Sequence, residues 1–253
     1  MASTETRVIL VINPNTTQAI TDALKPILSH LRSTTVTFDY YTATSGVPSI
    51  NNLDDADIST KACLPDLKPL LENYDAFLVA CYSPHPLVRA LHQALVDSGL
   101  PAKPVTGIFE ASVATCLASL RPEDKFGIVS TGSQWQGILN DGIVLLLGTH
   151  ASGSPRYAGT QTTGLNANEL HDAPKDEITK LMSTATRRLL DAGARAICLG
   201  CAGMAGLDSI VRQACIDVLG QVDGSKIRIV DGVVSGALHL ESEIRALSIA
   251  QGS

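Results

Sequence analysis

The sequence predicts an α/β protein of two pseudo-symmetric lobes, each a mainly parallel sheet flanked by helices. Three observations carry this. Short, nearly continuous apolar runs recur, such as 76–80 (Ala-Phe-Leu-Val-Ala) and 196–200 (Ala-Ile-Cys-Leu-Gly). Runs of that length and composition suit strands buried on both faces of a parallel sheet. They alternate with helical patterns along the chain, the signature of β-α units. Hydrophobic residues make up 45% but aromatics only 4%, which makes the core aliphatic.

The elements follow in order. Residues 8–12 read as a strand and 17–31 as a helix that Pro26 is expected to kink or break. A strand over 36–41 follows, then a weak helical pattern over 63–71 interrupted by Pro65 and Pro69. The strand at 76–80 leads to a helix over 87–97, entered through Pro86, which suits a first helical turn. A strand at 105–108 and a helix over 111–120 close the first half. The order then restarts: a strand at 126–129, helices over 136–147 and 178–192, a strand at 196–199, a helix over 207–219, a strand at 227–230 and a helix over 235–247.

The spacing suggests duplication. Asn13 follows the first strand and Cys81 comes 68 residues later; Ser130 follows the strand at 126–129 and Cys201 comes 71 residues later. Residues 1–110 with 225–253 are expected to form the first lobe, and 111–224 the second. Two such lobes facing each other would bring both cysteines to one cleft.

Composition narrows the function classes. A net charge of −6 and a pI near 5.4 oppose the basic footprint that nucleic acid requires, and no polybasic run suits anionic lipid. Mean hydropathy is +0.17, enough for a core. No segment approaches the roughly 18 apolar residues of a membrane span. Residues 1–7 lack the basic and apolar segments of a signal peptide. The expectation is a cytoplasmic protein whose six cysteines stay reduced and whose partner is a small molecule, with no nucleic acid and no membrane.

The residues that bear chemistry cluster at strand ends, where open α/β sheets place their ligands. Asn13-Pro14-Asn15-Thr16-Thr17 opens a helix. Its side chains suit capping, and the same free N–H groups suit a carboxylate, an imide oxygen or a phosphate. The loop has no Gly-x-Gly-x-x-Gly and no Walker pattern. Ser130-Thr131-Gly132-Ser133 and Thr44-Ser45-Gly46-Val47-Pro48-Ser49 are similar small polar loops. Cys81 sits just before a helix N-terminus, a setting that lowers a thiol pKa, and Cys201 is followed by glycines that admit close backbone approach. Cys63, Cys116, Cys198 and Cys215 lie within helical or strand patterns and read as buried, inert thiols. Cys198-Leu-Gly-Cys201 has no second ligand pair for a structural zinc and does not open a helix, so no metal is expected. His85 reads as part of a Pro-bounded turn, and Asp231-Gly232-Val233 as a turn.

Together, Val11-Ile12-Asn13-Pro14-Asn15-Thr16, Gly46-Val47-Pro48-Ser49-Ile50, Ala80-Cys81, Ile128-Val129-Ser130-Thr131, Leu199-Gly200-Cys201-Ala202-Gly203-Met204 and Val230-Asp231-Gly232-Val233 resemble, in that order, the Asp/Glu/hydantoin racemase superfamily. The hydantoin and allantoin racemase branch is most similar, its fungal hydantoin-racemase-like proteins especially. The resemblance implies two α/β lobes with the active site in the cleft between them, no cofactor, a homo-oligomer, and catalysis by Cys81 and Cys201 from opposite sides of the substrate carbon. It implies a pocket lined by Asn13, Val47, Tyr82, Ser130, Thr131, Ala202 and Gly203. Hydantoin racemases often show Cys-Phe-x-Asp-Pro-Gly at the first cysteine; here Cys81-Tyr82-Ser83-Pro84-His85-Pro86 gives a different pocket wall. Alternatives on the same scaffold are a maleate-type cis–trans isomerase with a nucleophilic cysteine and a non-catalytic small-molecule-binding homologue.

Overall fold

The computed structural model describes residues 6–31, 35–149, 154–204 and 206–250. The first part of the chain runs β1 (Arg7–Asn13), α1 (Gln18–Ser29), β2 (Val36–Thr42), α2 (Leu53–Leu67), β3 (Ala76–Val79), α3 (Pro86–Asp97), β4 (Val105–Gly107) and α4 (Ile108–Ser119). It continues through β5 (Lys125–Ser130), α5 (Trp135–Leu147), β6 (Tyr157–Thr162), α6 (Ala167–Asp172) and α7 (Lys175–Asp191). The last elements are β7 (Ala194–Gly200), α8 (Asp208–Lys226), β8 (Arg228–Asp231) and α9 (Gly232–Ala250).

Two compact units result, Met1–Ala111 with Val233–Ser253 and Ser112–Gly232. Each holds one four-stranded parallel sheet, in the order β2-β1-β3-β4 in the first and β6-β5-β7-β8 in the second. The strand order repeats from one unit to the other, as the spacing predicts. The boundary at the C-terminal side differs from the sequence expectation, which gives 225–232 to the first lobe. Strand β8 pairs with β7 from Ala196↔Arg228 to Leu199↔Asp231, so the backbone groups of 228–231 find their partners in the second sheet. Asp231 ends that strand and α9 begins at the next residue, where the sequence suggests a turn.

In the first unit, Phe77 and Val79 pack with Leu10, Ile12, Leu67, Leu87 and Leu91. In the second, Val129, Ile197 and Leu199 pack with Met182, Leu189, Val211 and Cys215. The central strands are apolar on both faces because helices cover both faces.

Several elements depart from expectation. Helix α1 continues through Pro26 without a break. Helix α2 begins ten residues before the helical pattern read from the sequence, since Asn52 caps it by accepting from the Asp55 N–H at 2.8 Å. Strand β6 and helix α6 have no counterpart in the sequence reading. Tyr-Ala-Gly-Thr-Gln-Thr is a polar sheet edge and lacks the apolar run that marks the central strands. Helix α8 breaks at Gly220, whose φ of 80° is open to glycine, and its last turn folds back toward Arg212. No helix among the described residues is long and apolar enough to cross a membrane.

Candidate active site

In the first unit the Ala80 N–H still donates to the Ile12 carbonyl at 2.8 Å, so Cys81 is the residue at which the chain leaves the sheet. Two narrow turns follow: Ser83 N–H to Cys81 O at 3.0 Å and His85 N–H to Ser83 O at 2.7 Å. Pro86 then opens α3. Cys81 keeps partial exposure, with its Sγ 3.5 Å from Ser83 Oγ. Tyr82 is buried, edge-on to Phe109 with ring centroids 5.7 Å apart.

Asn13 ends β1 and is fully buried. Its Nδ2 donates to Thr21 Oγ1 (3.0 Å), Thr17 O (3.1 Å) and Asn15 Oδ1 (3.2 Å), so its amide organises the loop from within. Helix α2 holds the same loop from outside: the Pro14 carbonyl accepts from Ser59 Oγ and from Cys63 Sγ. Val47 joins through its backbone, its carbonyl accepting from Thr16 N–H at 3.0 Å.

Two further groups stand at the carboxyl edge of this sheet. His85 caps α3, its Nδ1 accepting from Leu87 N–H at 3.2 Å. Its proton therefore sits on Nε2, which is buried without a hydrogen-bond partner among the described residues. Burial pulls the His85 pKa down to about 4, so the ring is neutral. Glu110, in the first turn of α4, packs its Oε2 against Gly107, where a Cβ would lie 2.2 Å away. Burial pushes its carboxyl up to about 7, against the opposing backbone N–H groups of Glu110 and Gly107. The sequence reading takes His85 as a turn residue and leaves Ser83 and Glu110 unassigned. The signal for Glu110 is Gly107-Ile-Phe-Glu110 directly after a strand.

The second unit repeats the arrangement. Ser130 ends β5, its Oγ donating to the Gly200 carbonyl at 2.9 Å, which ties that hydroxyl to the neighbouring strand end. Thr131 is buried, its carbonyl accepting from Gly164 N–H at 3.0 Å. Cys201 follows β7 directly. Ala202–Met204 forms a single 3-10 turn that brings the Gly203 N–H 3.3 Å from Cys201 Sγ. Burial raises the Cys201 pKa, while the N–H groups of Gly203 and Met204 work the other way by stabilising a thiolate. Gly200 is required at the end of β7, since a Cβ there would lie 2.7 Å from both the Val129 carbonyl and the Ile128 side chain. Ala205, in the same loop, lies outside the described residues.

All six cysteines are thiols, and they divide sharply. Cys63, Cys116, Cys198 and Cys215 are buried; Cys81 and Cys201 alone keep partial exposure. Cys116 and Cys198 lie 3.3 Å apart within the second unit's core, and the neighbouring Cys198 together with burial pushes the Cys116 thiol up. Among the described residues no group of three or more His, Cys, Asp or Glu side chains is placed to hold a metal ion.

The sequence pattern described as Asp/Glu/Hydantoin racemase matches residues 9–240. The chain belongs to the Asp/Glu/hydantoin racemase family. Within reach of that family, "Uncharacterized protein C1F7.10" of Schizosaccharomyces pombe is 35% identical over 241 residues, 94% of this chain and 92% of its own. The hydantoin racemase of Pseudomonas sp. strain NS671 is 29% identical, covering 92% of this chain and 84% of its own. The crystal structure of allantoin racemase from Pseudomonas fluorescens superposes with a TM-score of 0.77 at 25% identity, over 94% of this chain and 91% of that one. This racemase-family chain therefore shares its fold along nearly its whole length with an allantoin racemase.

Proposed function

We propose that the protein is a cofactor-independent racemase of 5-substituted hydantoins or allantoin, with Cys81 and Cys201 as the two proton-transfer groups. The observation that carries this is the division of the thiols. The two that keep exposure each stand at the carboxyl end of a central strand, one per unit, in a chain similar to hydantoin and allantoin racemases.

Inverting a stereocentre beside a carbonyl means taking a proton from one face and returning one to the other. One thiolate accepts the C5 proton and becomes a thiol, leaving an enolate. The other thiol gives its proton to the opposite face and becomes the thiolate. The reverse direction exchanges the roles. Burial raises the Cys201 pKa, and the Gly203 and Met204 N–H groups work the other way, stabilising its thiolate once it has given up its proton. A positioned acid–base group contributes about 10²–10⁴-fold; N–H donors at the strand ends stabilise the enolate oxygen.

The test is proton exchange in D₂O with single enantiomers of allantoin and several 5-substituted hydantoins, against enzyme-free blanks. Enzyme-dependent deuterium at C5 with matching loss of optical activity is expected. Cys81→Ser and Cys201→Ser should each lower the rate by about 10²-fold or more while leaving the melting temperature within a few degrees. Near-native turnover in either variant would remove the two-base scheme. A covalent cysteine adduct seen by mass spectrometry, without exchange, would replace it with isomerisation by a nucleophilic thiol.

A further inference from the structure

The second unit carries a cavity of about 920 Å³ at the amino ends of its strands, the edge opposite Cys201. Arg195 is the second residue of β7 and Arg228 the first of β8, while Asp124 immediately precedes β5. Six residues of extended strand separate Arg195 from Cys201, about 20 Å, so the cavity is distinct from the cysteine site.

Five cationic side chains line it in a chain whose net charge is −6. Its two carboxylates are already matched: Arg121 donates twice to Asp124, each at 2.9 Å, and Lys226 pairs with Asp223 at 2.8 Å. Both carboxyls are held below the usual range, Asp124 chiefly by Arg121 and Asp223 chiefly by Lys226, and Arg195 adds its charge to each. That leaves Arg195, Arg212 and Arg228 with no ion pair among the described residues.

Two of these three are already oriented. Arg212 is half-buried, and its Nη1 donates to the carbonyls of Gly224 (2.7 Å) and Ser225 (3.0 Å) in the folded-back end of α8. Arg195 Nη1 donates to the Ala194 carbonyl at 3.0 Å. Donors fixed in advance lose little freedom on binding. Leu219, Ile227 and Ile229 add apolar side chains to the lining.

We propose that this cavity binds a small organic phosphate, with the phosphoryl group on Arg195, Arg212 and Arg228 and the carbon skeleton on Leu219, Ile227 and Ile229. Three unmatched guanidiniums favour a dianion over a single carboxylate, because a monoanion leaves two like charges uncompensated. Planar guanidinium forks also match phosphoryl oxygens in pairs. The three apolar side chains call for more than inorganic phosphate, and the volume lies within the range of small-ligand sites.

The test uses the full chain with ADP, adenosine and inorganic phosphate as probes, at an ionic strength held constant with sodium chloride. Calorimetry should show saturable ADP binding, weaker binding of inorganic phosphate and none of adenosine. An Arg195→Ala/Arg228→Ala double variant should bind ADP about tenfold more weakly or worse, and an Arg195→Lys/Arg228→Lys variant should fall between it and the wild type. The ligand-free melting temperature of the Ala variant should equal or exceed the wild type's, since two like charges have been removed. Equal ADP affinity in the variant would overturn the proposal, as would an effect that sodium chloride alone reproduces.

Discussion

At the scale of single residues, His85 shows how one side chain can do local work that its sequence context conceals. Its Nδ1 caps α3 and its buried, neutral ring carries the proton on Nε2. Because the folded-state pKa of about 4 lies below the usual 6.5, the unfolded chain binds more protons between those values. His85 therefore makes stability fall as pH drops through that window. Glu110 opposes it: raised from 4.5 to about 7, its carboxyl makes the folded state bind more protons, so stability falls as pH rises from 4.5 to 7. His85→Asn keeps an oxygen for the Leu87 N–H but cannot titrate. Denaturant unfolding at pH 7 and pH 4 should show the acid-side loss reduced by up to about 3 kcal/mol relative to wild type; an unchanged difference would mean the ring is not held neutral. The six cysteines could be sorted from sequence because position relative to a strand end sets exposure. Glu110 could not, since its burial depends on how closely the α4 turn approaches Gly107.

At the scale of elements, the ends of β5 and β7 fix where Cys201 stands. Ser130 Oγ bonds the Gly200 carbonyl, and the missing Cβ at Gly200 lets the strands approach. Gly200→Ala forces a contact with the Val129 carbonyl, which cannot rotate away, and is expected to cost about 1–3 kcal/mol. The control is Gly137→Ala, in α5 with nothing within 4 Å of the new Cβ, expected to be neutral or stabilising by about 0.5–1 kcal/mol. Urea midpoints compare the two, and equal midpoints would dismiss the close approach as a constraint on β7. The central strands β1, β3, β5 and β7 were legible because burial on both faces demands an unbroken apolar run. Strand β6, at the sheet edge, needs no such run and left no signal. Helix α2 was half-legible: its Pro65 hid the pattern, whereas its Asn52 cap lay outside the window that periodicity covers.

At the scale of the whole molecule, two units repeat one strand order, which is what the near-equal 68- and 71-residue intervals anticipate. We propose that the protein is a homo-oligomer. The resemblance to racemases that form oligomers motivates it, and helix α5 leaves Leu145 80% and Leu146 42% exposed. Light scattering on the purified protein should return a multiple of 26.6 kDa; a mass of one chain would refute it.

The sequence by itself determined the α/β class, the duplicated strand-and-loop order and the two cysteines at strand ends, because these follow from local periodicity and chain spacing. Tertiary structure alone decided that β8 joins the second sheet, that the Ser130 hydroxyl is tied to the Gly200 carbonyl of the neighbouring strand, and that Arg195, Arg212 and Arg228 share one cavity. Each of those depends on contacts between residues far apart in the chain, set by the packing of elements rather than by neighbours in sequence.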